Sequence, residues 1–283
     1  MMIRQSFIEQ KPTLYLISTP IGNLKDITLR AIETLNSVSV VFAEDTRNTL
    51  KLMSHYGIKK TIKSYHEHNK REATEQVLYH LNQGESVGLV TDAGTPAISD
   101  PGFDLVLAVK SLFPVVAVPG ASAVLTALVA SGLVPQPFTF IGFLDRSESR
   151  KTETLKKLSG FSHTLVFYER GDRVKKTLNT IQQVLGNRQI VLAKELTKQF
   201  ETYIEGSVTD ILSLDFNEKG EFVLMVEGRS DTLLSSGDMY QDVLDYIKLG
   251  YTEKEAIKKV AKDYKLPKND VYQAVVDKGG IKQ

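Results

Sequence analysis

The chain lacks cysteine altogether, since none occurs among its 283 residues. Disulfide bonds, thiolate zinc sites and cysteine nucleophiles are therefore excluded. Any chemistry must rely on oxygen and nitrogen groups of the chain itself or on a bound cofactor.

Long apolar runs are also missing. No stretch approaches the ~18 consecutive apolar residues of a membrane-spanning helix. Residues 1–11 mix charged and polar side chains, whereas a signal peptide would carry an apolar segment there. We therefore expect a cytoplasmic protein that is neither exported nor membrane-spanning.

A strong excess of one charge is missing as well, because the formal net charge is only +1. A surface built throughout to bind nucleic-acid phosphates would need a clear basic excess. The charges are nevertheless unevenly distributed: residues 252–283 contain eight lysines and five acidic residues. The basic excess is thus concentrated at the end of the chain.

The composition that remains is typical of a globular protein, with 42% hydrophobic and 24% charged residues. The length suits two α/β domains with a small appendage. In the first half, continuous apolar runs alternate with helical patterns, which indicates a mostly parallel sheet covered on both faces. Strands are predicted at 14–17, 38–42, 87–90 and 115–118, and helices at 47–55, 71–82 and 103–112.

The second half has a different pattern, in which later strands follow one another with little helix between them. This predicts a mixed sheet, with strands at 138–141, 164–168, 189–193, 201–205 and 221–227. Residues 228–238 are predicted to form a loop, and three short amphipathic helices, at 239–249, 253–264 and 268–277, then end the chain. Thr252 and Glu255 have the spacing of a capping box. The predicted organisation is an N-terminal α/β domain (12–118), a linker helix (119–135), a C-terminal α/β domain (136–230) and a small helix-turn-helix-like tail (237–283).

The most specific local motif is TDAGTP, at residues 91–96, which directly follows a predicted strand. Glycine lets backbone amides approach a ligand closely, and open α/β sheets bind ligands at the carboxyl ends of their strands. The motif is therefore a candidate cofactor loop. A tight turn capped by Asp100 explains the same pattern equally well.

Two further turns also join a strand to a helix. Residues 19–24, TPIGNL, lack both the GxGxxG and the P-loop patterns, so neither a dinucleotide nor a nucleoside triphosphate site is supported. Residues 119–123, PGASA, begin a helix whose amino terminus suits a carboxylate or a ribose hydroxyl. Close packing of a small-residue helix accounts for that turn equally well.

Two polar segments have alternative interpretations. His66 and His68 would share one face of an extended segment, as metal ligands do, but no third ligand is near in sequence, and a polar loop is favoured. Asp45 or Thr46 either caps the next helix or contacts a substrate. No metal site is predicted.

Basic residues cluster in two segments of the second domain. At this spacing they would suit a phosphate backbone, and a solvated face is the alternative. The RNA-binding candidates are Arg146, Arg150, Lys151, Arg173 and Lys175.

Taken in order, seven motifs resemble the tetrapyrrole methylase family, from Leu14 to Gly228. They are TPIGNL (19–24), AEDTR (43–47), HEHN (66–69), TDAGTPAISDPG (91–102), PGASA (119–123), ELTK (195–198) and KGEFVLMVEG (219–228). The resemblance implies two α/β domains of the class III methyltransferase type, with S-adenosylmethionine in the cleft between them, and usually a homodimer. It places the cofactor against Asp92, Ala93, Gly94, Thr95, Ser99, Asp100, Ser122, Ala123 and, on the opposite side, Tyr168.

The first loop, TPIGNL, replaces the glycine-rich loop of the tetrapyrrole enzymes. This favours the family branch that methylates the ribose 2′-hydroxyl of a decoding-centre cytidine in 16S rRNA, with the 30S subunit as the implied partner. Arg47, Glu195 and Lys198 are the candidates for assisting proton removal from that hydroxyl. Asp145 and Asp172 depart from the branch's proline and histidine, so no role of that histidine is carried over.

Two other functions remain open. One is methyl transfer to a tetrapyrrole or another planar small molecule, which the basic tail and the first loop disfavour. The other is a non-catalytic module that binds RNA or the ribosome. Binding of S-adenosylmethionine separates both enzymes from this module.

Overall fold

The first sheet is parallel and precedes the second in the chain. The structure, a computed structural model, describes residues 11–229, 238–248 and 251–278. The strands lie in the order β3-β2-β4-β1-β5 and every pairing is parallel. They are β1 (Leu14–Ile17), β2 (Val40–Ala43), β3 (Thr61–Ser64), β4 (Val87–Val90) and β5 (Val115–Val118).

Helices cover both faces of this sheet because alternate residues of the buried strands point to opposite sides. Val40 and Phe42 pack in one cluster, and Val41 and Ala43 pack in the other. The first cluster includes α3 (Lys70–Asn82) and α4 (Gly102–Val109), and the second includes α1 (Leu29–Ser37) and α2 (Thr46–His55). The continuous apolar strands predicted from the sequence are therefore explained by burial on both faces.

The helix α5 (Ala123–Ala130) follows the first sheet but packs on the second. Val124 and Leu128 belong to the same buried cluster as Val166 and Val191 of the second sheet. The helix ends before Gly132, which adopts a positive φ of 71°, as expected for a glycine that terminates a helix.

The second sheet is mixed, as the sequence predicts. Its order is β6-β7-β10-β8-β9; the β6–β7 pair is parallel and the other pairs are antiparallel. The strands are β6 (Phe138–Phe143), β7 (Thr164–Arg170), β8 (Gln189–Lys194), β9 (Thr202–Ser207) and β10 (Glu221–Val226). The helices α6 (Glu148–Leu158), α7 (Gly171–Leu185) and α8 (Val208–Ser213) pack on the face opposite α5.

Three short helices form the tail: α9 (Met239–Lys248), α10 (Glu253–Asp263) and α11 (Lys268–Asp277). Their apolar side chains form a core of their own. Thr252 and Glu255 make the capping box that their spacing predicts. The predicted loop at 228–238 lies largely outside the described residues.

The sequence prediction missed β3 and misplaced some element ends. β3 is an edge strand with no fully buried side chain, so it lacks the apolar run that reveals β4. The helix predicted at 103–112 ends at Val109, because a turn precedes the next strand. Within the described residues, no helix combines the length and apolarity needed to cross a bilayer.

Candidate active site

The loops after β1, β4 and β5 meet because these strands are neighbours in the sheet. Thr19 and Gly94 exchange two backbone hydrogen bonds, with N···O distances of 2.9 and 3.1 Å. The Ser18 and Thr95 hydroxyl oxygens lie 3.0 Å apart. TPIGNL and TDAGTP, which are far apart in sequence, therefore form one continuous backbone surface at the carboxyl edge of the sheet.

Gly94 occupies the centre of this surface in a left-handed conformation, with φ of +82°. A Cβ placed there would lie 3.5 Å from Ile21 and 3.7 Å from the Ala121 carbonyl oxygen, which are ordinary contact distances. The backbone conformation, more than a lack of space, therefore requires glycine. The same contacts show that the turns 19–24, 91–96 and 119–123 converge on Gly94.

Asp100 organises the next part of this edge. Its Oδ1 accepts hydrogen bonds from the backbone N–H groups of Ala97 (3.0 Å) and Gly102 (2.7 Å). Asp100 therefore stabilises the tight turn before α4. The predicted role of Asp100 as a cap of that helix is not observed, because the N-cap residue is Pro101 and no side chain makes a capping hydrogen bond there. The Oδ2 of Asp100 is buried without a hydrogen-bond partner, which leaves a carboxylate oxygen available to a ligand.

Ser99 brings this loop against the second domain. It adopts a positive φ of 66°, and its hydroxyl oxygen lies 3.2 Å from where a Cβ on Gly142 would be. Gly142 belongs to β6. One side of the cleft between the sheets is thus closed by a close approach of Ser99 to β6.

Asp92 connects the TDAGTP turn to α2. Its Oδ1 accepts from the backbone N–H of Asp45, and its Oδ2 accepts from the Asn48 side-chain amide, both at 3.1 Å. Burial raises the pKa of Asp92, and the negative charges of Glu44 and Asp45 add to this rise, while the two hydrogen bonds oppose it. Both Asp92 oxygens are already engaged within the protein.

Arg47 is held at the start of α2 by Asp45. Its Nε and terminal nitrogen lie 3.0 and 2.6 Å from the two carboxylate oxygens. The side-chain hydrogen bond from Arg47 lowers the pKa of Asp45 to about 2. Asp45 also accepts from the Arg47 backbone N–H at 2.8 Å, so the predicted N-cap role of Asp45 is observed.

Tyr168 faces the cleft from the second sheet. Its ring packs edge-on against Phe140, with centroids 4.9 Å apart, and lies 5.5 Å from Phe143. Burial raises the pKa of Tyr168, while a backbone hydrogen bond from Val124 opposes the rise. Val124 is in the first turn of α5, which Ser122 caps through the Leu125 N–H. Tyr168, Ser122 and Ala123 are therefore brought together.

The ELTK turn closes the other side of the cleft. A Cβ on Gly22 would lie only 2.7 Å from the Leu196 carbonyl oxygen, so TPIGNL rests directly on this turn. Glu195 and Thr197 both adopt positive φ, at 53° and 65°. Such residues store backbone strain, which is common at functional sites. The Glu195 carboxylate lies 3.3 Å from the Lys198 ammonium.

Some buried polar side-chain atoms in the described residues lack a hydrogen-bond partner. Four buried side-chain atoms have no hydrogen-bond partner: Asp26 Oδ2, His66 Nδ1, Asp100 Oδ2 and Thr197 Oγ1. Each lies in a segment that follows the carboxyl end of a strand. Buried polar groups are normally paired, so orphaned ones indicate a missing ligand or water. Neither Asp26 nor Thr197 is among the site residues predicted from the sequence, although Asp26 follows TPIGNL and Thr197 lies in ELTK.

The HEHN segment forms a turn instead of an extended strand. Asn69 accepts a hydrogen bond from the His66 backbone N–H at 2.8 Å, and the rings of His66 and His68 are 6.0 Å apart. Within residues 11–229, 238–248 and 251–278, no group of three potential ligands is arranged to bind a metal ion.

The predicted RNA-binding residues do not form one basic surface. The prediction for Lys151 is wrong: its side chain is only 2% exposed and its ammonium lies 3.4 Å from Glu148, so it cannot reach a phosphate. Arg173 pairs with buried Glu169 and donates to the Leu144 carbonyl, which gives it a structural role. Lys175 pairs with Glu218 at 2.8 Å. Arg146 and Arg150 remain exposed.

The motifs that converge at this cleft lie within a region that matches a known family. Residues 13–212 match the sequence profile of the Tetrapyrrole (Corrin/Porphyrin) Methylases. The chain belongs to the tetrapyrrole methylase family. Its two α/β domains have the family's fold, and the motifs TPIGNL, TDAGTPAISDPG, PGASA and ELTK lie where the two domains meet.

Relatives of the chain within the tetrapyrrole methylase family are similar over nearly its whole length. A Bacillus subtilis protein named ribosomal RNA small subunit methyltransferase I is 44% identical, covering 92% of this chain and 93% of the relative. The protein of the same name from Halalkalibacterium halodurans is 43% identical, with 96% and 98% covered. That from Haemophilus influenzae is 42% identical, with 92% and 95% covered.

Solved structures of more distant proteins share the fold. Diphthine synthase superposes with a TM-score of 0.63 at 14% identity, covering 76% of this chain and 89% of the other. A cobalt precorrin-4 methyltransferase of cobalamin biosynthesis gives 0.58 at 20% identity, covering 76% and 94%. The tail, at the end of the chain, lies beyond the residues that the family profile matches.

Proposed function

We propose that the chain transfers a methyl group from S-adenosylmethionine to the ribose 2′-hydroxyl of a decoding-centre cytidine in 16S rRNA. The observation that carries this proposal is the 42–44% identity, over at least 92% of the chain, to proteins named ribosomal RNA small subunit methyltransferase I. The geometry of the cleft supplies independent support for a cofactor and a polar acceptor.

The residues at the cleft suit S-adenosylmethionine. Gly94, in its left-handed conformation, exposes backbone beside Ile21 and Ala121 without a side chain of its own. The unpartnered Asp100 Oδ2 offers an acceptor to the hydroxyl or ammonium groups of the ligand. The residues that would hold it are those predicted: Asp92, Ala93, Gly94, Thr95, Ser99, Asp100, Ser122, Ala123 and Tyr168.

Asp92 would act by shaping this site, because both of its carboxylate oxygens are bound to α2. Tyr168 would offer an aromatic wall whose hydroxyl lies at the start of α5. Ser99 and Gly22 hold the two domains at the sides of the cleft. Excluding water and fixing the reactants in line are the main tasks in such a displacement.

When bound, S-adenosylmethionine supplies an electrophilic methyl group on a sulfonium that departs neutral. A ribose hydroxyl is a poor nucleophile unless its proton is withdrawn as the new bond forms. Arg47 cannot accept that proton, because guanidinium stays protonated and is held by Asp45. We assign the role to Glu195, which adopts a positive φ and directly precedes the ELTK residues that contact Gly22, with Lys198 orienting its carboxylate at 3.3 Å.

The proposal includes a cytoplasmic location, the 30S subunit as substrate and a homodimer. Exposed apolar side chains on and just after α5, namely Leu125, Val129 and Val134, offer a surface for a second copy. Sedimentation of the purified chain measures this directly; a monomer at micromolar concentration would contradict the dimer.

One assay separates the alternatives. Labelled methyl transfer from S-adenosylmethionine is compared between 30S subunits and a porphyrin precursor, with calorimetric titration of the cofactor alongside. Transfer to the 30S subunit supports the proposal, whereas transfer to the porphyrin alone indicates a small-molecule enzyme. Absence of cofactor binding would indicate a non-catalytic RNA-binding module.

A further inference from the structure

The tail folds around its own core and uses its carboxylates internally. Asp242 accepts a hydrogen bond from the Tyr264 hydroxyl at 2.7 Å, and Asp263 accepts one from the Tyr246 hydroxyl at 2.6 Å. Glu255 is bound to Thr252 in the capping box. These acidic groups are therefore occupied in holding the three helices together.

Lysines on α10 have a different environment. Lys254, Lys258 and Lys262 are all exposed and recur every four residues. They therefore share one face and are separated by ~6 Å along the helix axis. Their ammonium groups have no carboxylate within 4 Å in the described part of the chain. Lys259, by contrast, lies over the rings of Tyr246 and Tyr251.

The opposite face of α10 is already buried. Ala256, Ile257, Val260 and Ala261 pack in the tail core. A helix that binds a membrane surface would need an exposed apolar face beside its lysines, and α10 has none to offer. A regular row of positive charges fits a partner whose negative charges also repeat, as those of a nucleic-acid backbone do.

We propose that the row of Lys254, Lys258 and Lys262 binds the phosphate backbone of the RNA substrate. This inference rests on the proposed function, which supplies RNA as the partner. Lysine ammonium groups act as point charges, so the row fixes the position of the RNA without reading its bases. The tail would then hold the ribosomal substrate for the cleft. Basic side chains of the cleft itself, such as Arg47 and Lys198, are paired with acidic ones.

The test is the salt dependence of RNA affinity in the full chain. Removing one lysine–phosphate ion pair lowers the magnitude of the slope of log K against log[salt] by about 0.7 to 0.9. Replacing Lys254, Lys258 and Lys262 by alanine should therefore lower it by roughly two to three units. The probes are 16S rRNA without ribosomal proteins and intact 30S subunits.

A matched control removes the same charge elsewhere. Lys59, Lys60 and Lys110 lie near the amino-terminal edge of the first sheet, opposite the cleft. Their replacement by alanine should leave the slope close to that of the parent. Replacing the three tail lysines by arginine should preserve the slope, since arginine keeps the charge. Unchanged calorimetric affinity for S-adenosylmethionine verifies that the two α/β domains are folded, and an unchanged helical circular dichroism signal verifies the tail.

Three outcomes would overturn the proposal: a slope equal to the parent's, an equal decrease in the control, or a decrease on 30S subunits but not on free rRNA. The last would identify an acidic ribosomal protein as the partner. Binding is measured whether or not methyl transfer occurs. A chain that binds RNA through this row but transfers no methyl group would contradict the proposed function and leave the surface standing.

Discussion

Replacing Gly94 by alanine tests the cofactor turn most selectively. The residue has φ of +82°, and a left-handed conformation costs an L-residue about 1 to 2 kcal/mol. The added Cβ meets Ile21 and Ala121 only at ordinary contact distances. We therefore expect a folded variant that is less stable by about 1 kcal/mol. Valine is a poorer choice, because a β-branched side chain is a stronger outlier at this φ.

A second glycine provides the control. Gly84 has φ of +83°, and nothing lies within 4 Å of a Cβ placed on it. It precedes β4, whereas Gly94 follows it, so Gly84 lies at the edge of the sheet away from the cleft. Gly84→Ala should therefore carry the same backbone cost, about 1 kcal/mol, without touching the proposed cofactor site.

Two measurements on both variants decide the matter. Urea unfolding should show similar decreases in stability. Calorimetric titration should show that S-adenosylmethionine binds Gly94→Ala at least tenfold more weakly, about 1.4 kcal/mol, and Gly84→Ala as tightly as the parent. Equal cofactor affinity in the two variants would refute the assignment of the TDAGTP turn.

Three further outcomes are expected. In a carboxyl NMR titration, Asp45 should titrate with a pKa of about 2, and in Arg47→Ala its pKa should move towards the ordinary value. Because the pKa of Asp45 is lowered in the folded state, its ionised form stabilises the fold fully above pH ~4, and this stabilisation is lost as the pH falls towards 2. Arg173→Ala should destabilise the chain by about 3 kcal/mol in urea unfolding, because Glu169 is 0% exposed and would lose its ion-pair partner. The exposed Arg146 is the control, and Arg146→Ala should change the stability by less than about 0.5 kcal/mol. Similar losses of stability in the two variants would contradict the structural role of Arg173. Glu195→Gln should lower kcat while leaving the calorimetric affinity for S-adenosylmethionine unchanged, and an unchanged kcat would remove Glu195 as the proton acceptor.

The parts of the fold that can be predicted are those in which local sequence and burial agree. β4 and β5 begin and end at the residues that the sequence predicts, because each is a short apolar run bounded by turns. The tail helices are located by periodicity and by the Thr252 capping box. β3 is not predicted, because an edge strand of mixed polarity has no such pattern.

The candidate site is predictable as a set of motifs but not as an arrangement of atoms. Gly94 is identified from its motif, yet its contacts with Ile21 and Ala121 depend on the strand order, which periodicity does not give. For Lys151, the sequence pattern predicts the wrong environment. Its place in a basic cluster suggests a surface residue, but its helix turns it inward against Glu148. Charge spacing alone cannot distinguish a buried lysine from an exposed one.

The central claim is that the acceptor is a ribose oxygen of ribosomal RNA. It is tested by incubating 30S subunits with the chain and methyl-labelled S-adenosylmethionine, digesting the rRNA to nucleosides and separating them. We expect the label in 2′-O-methylcytidine, and about tenfold less of it when Gly94→Ala replaces the parent at a cofactor concentration well below both dissociation constants. Label in a base-methylated nucleoside, or no label in rRNA while a tetrapyrrole is methylated, would contradict the account.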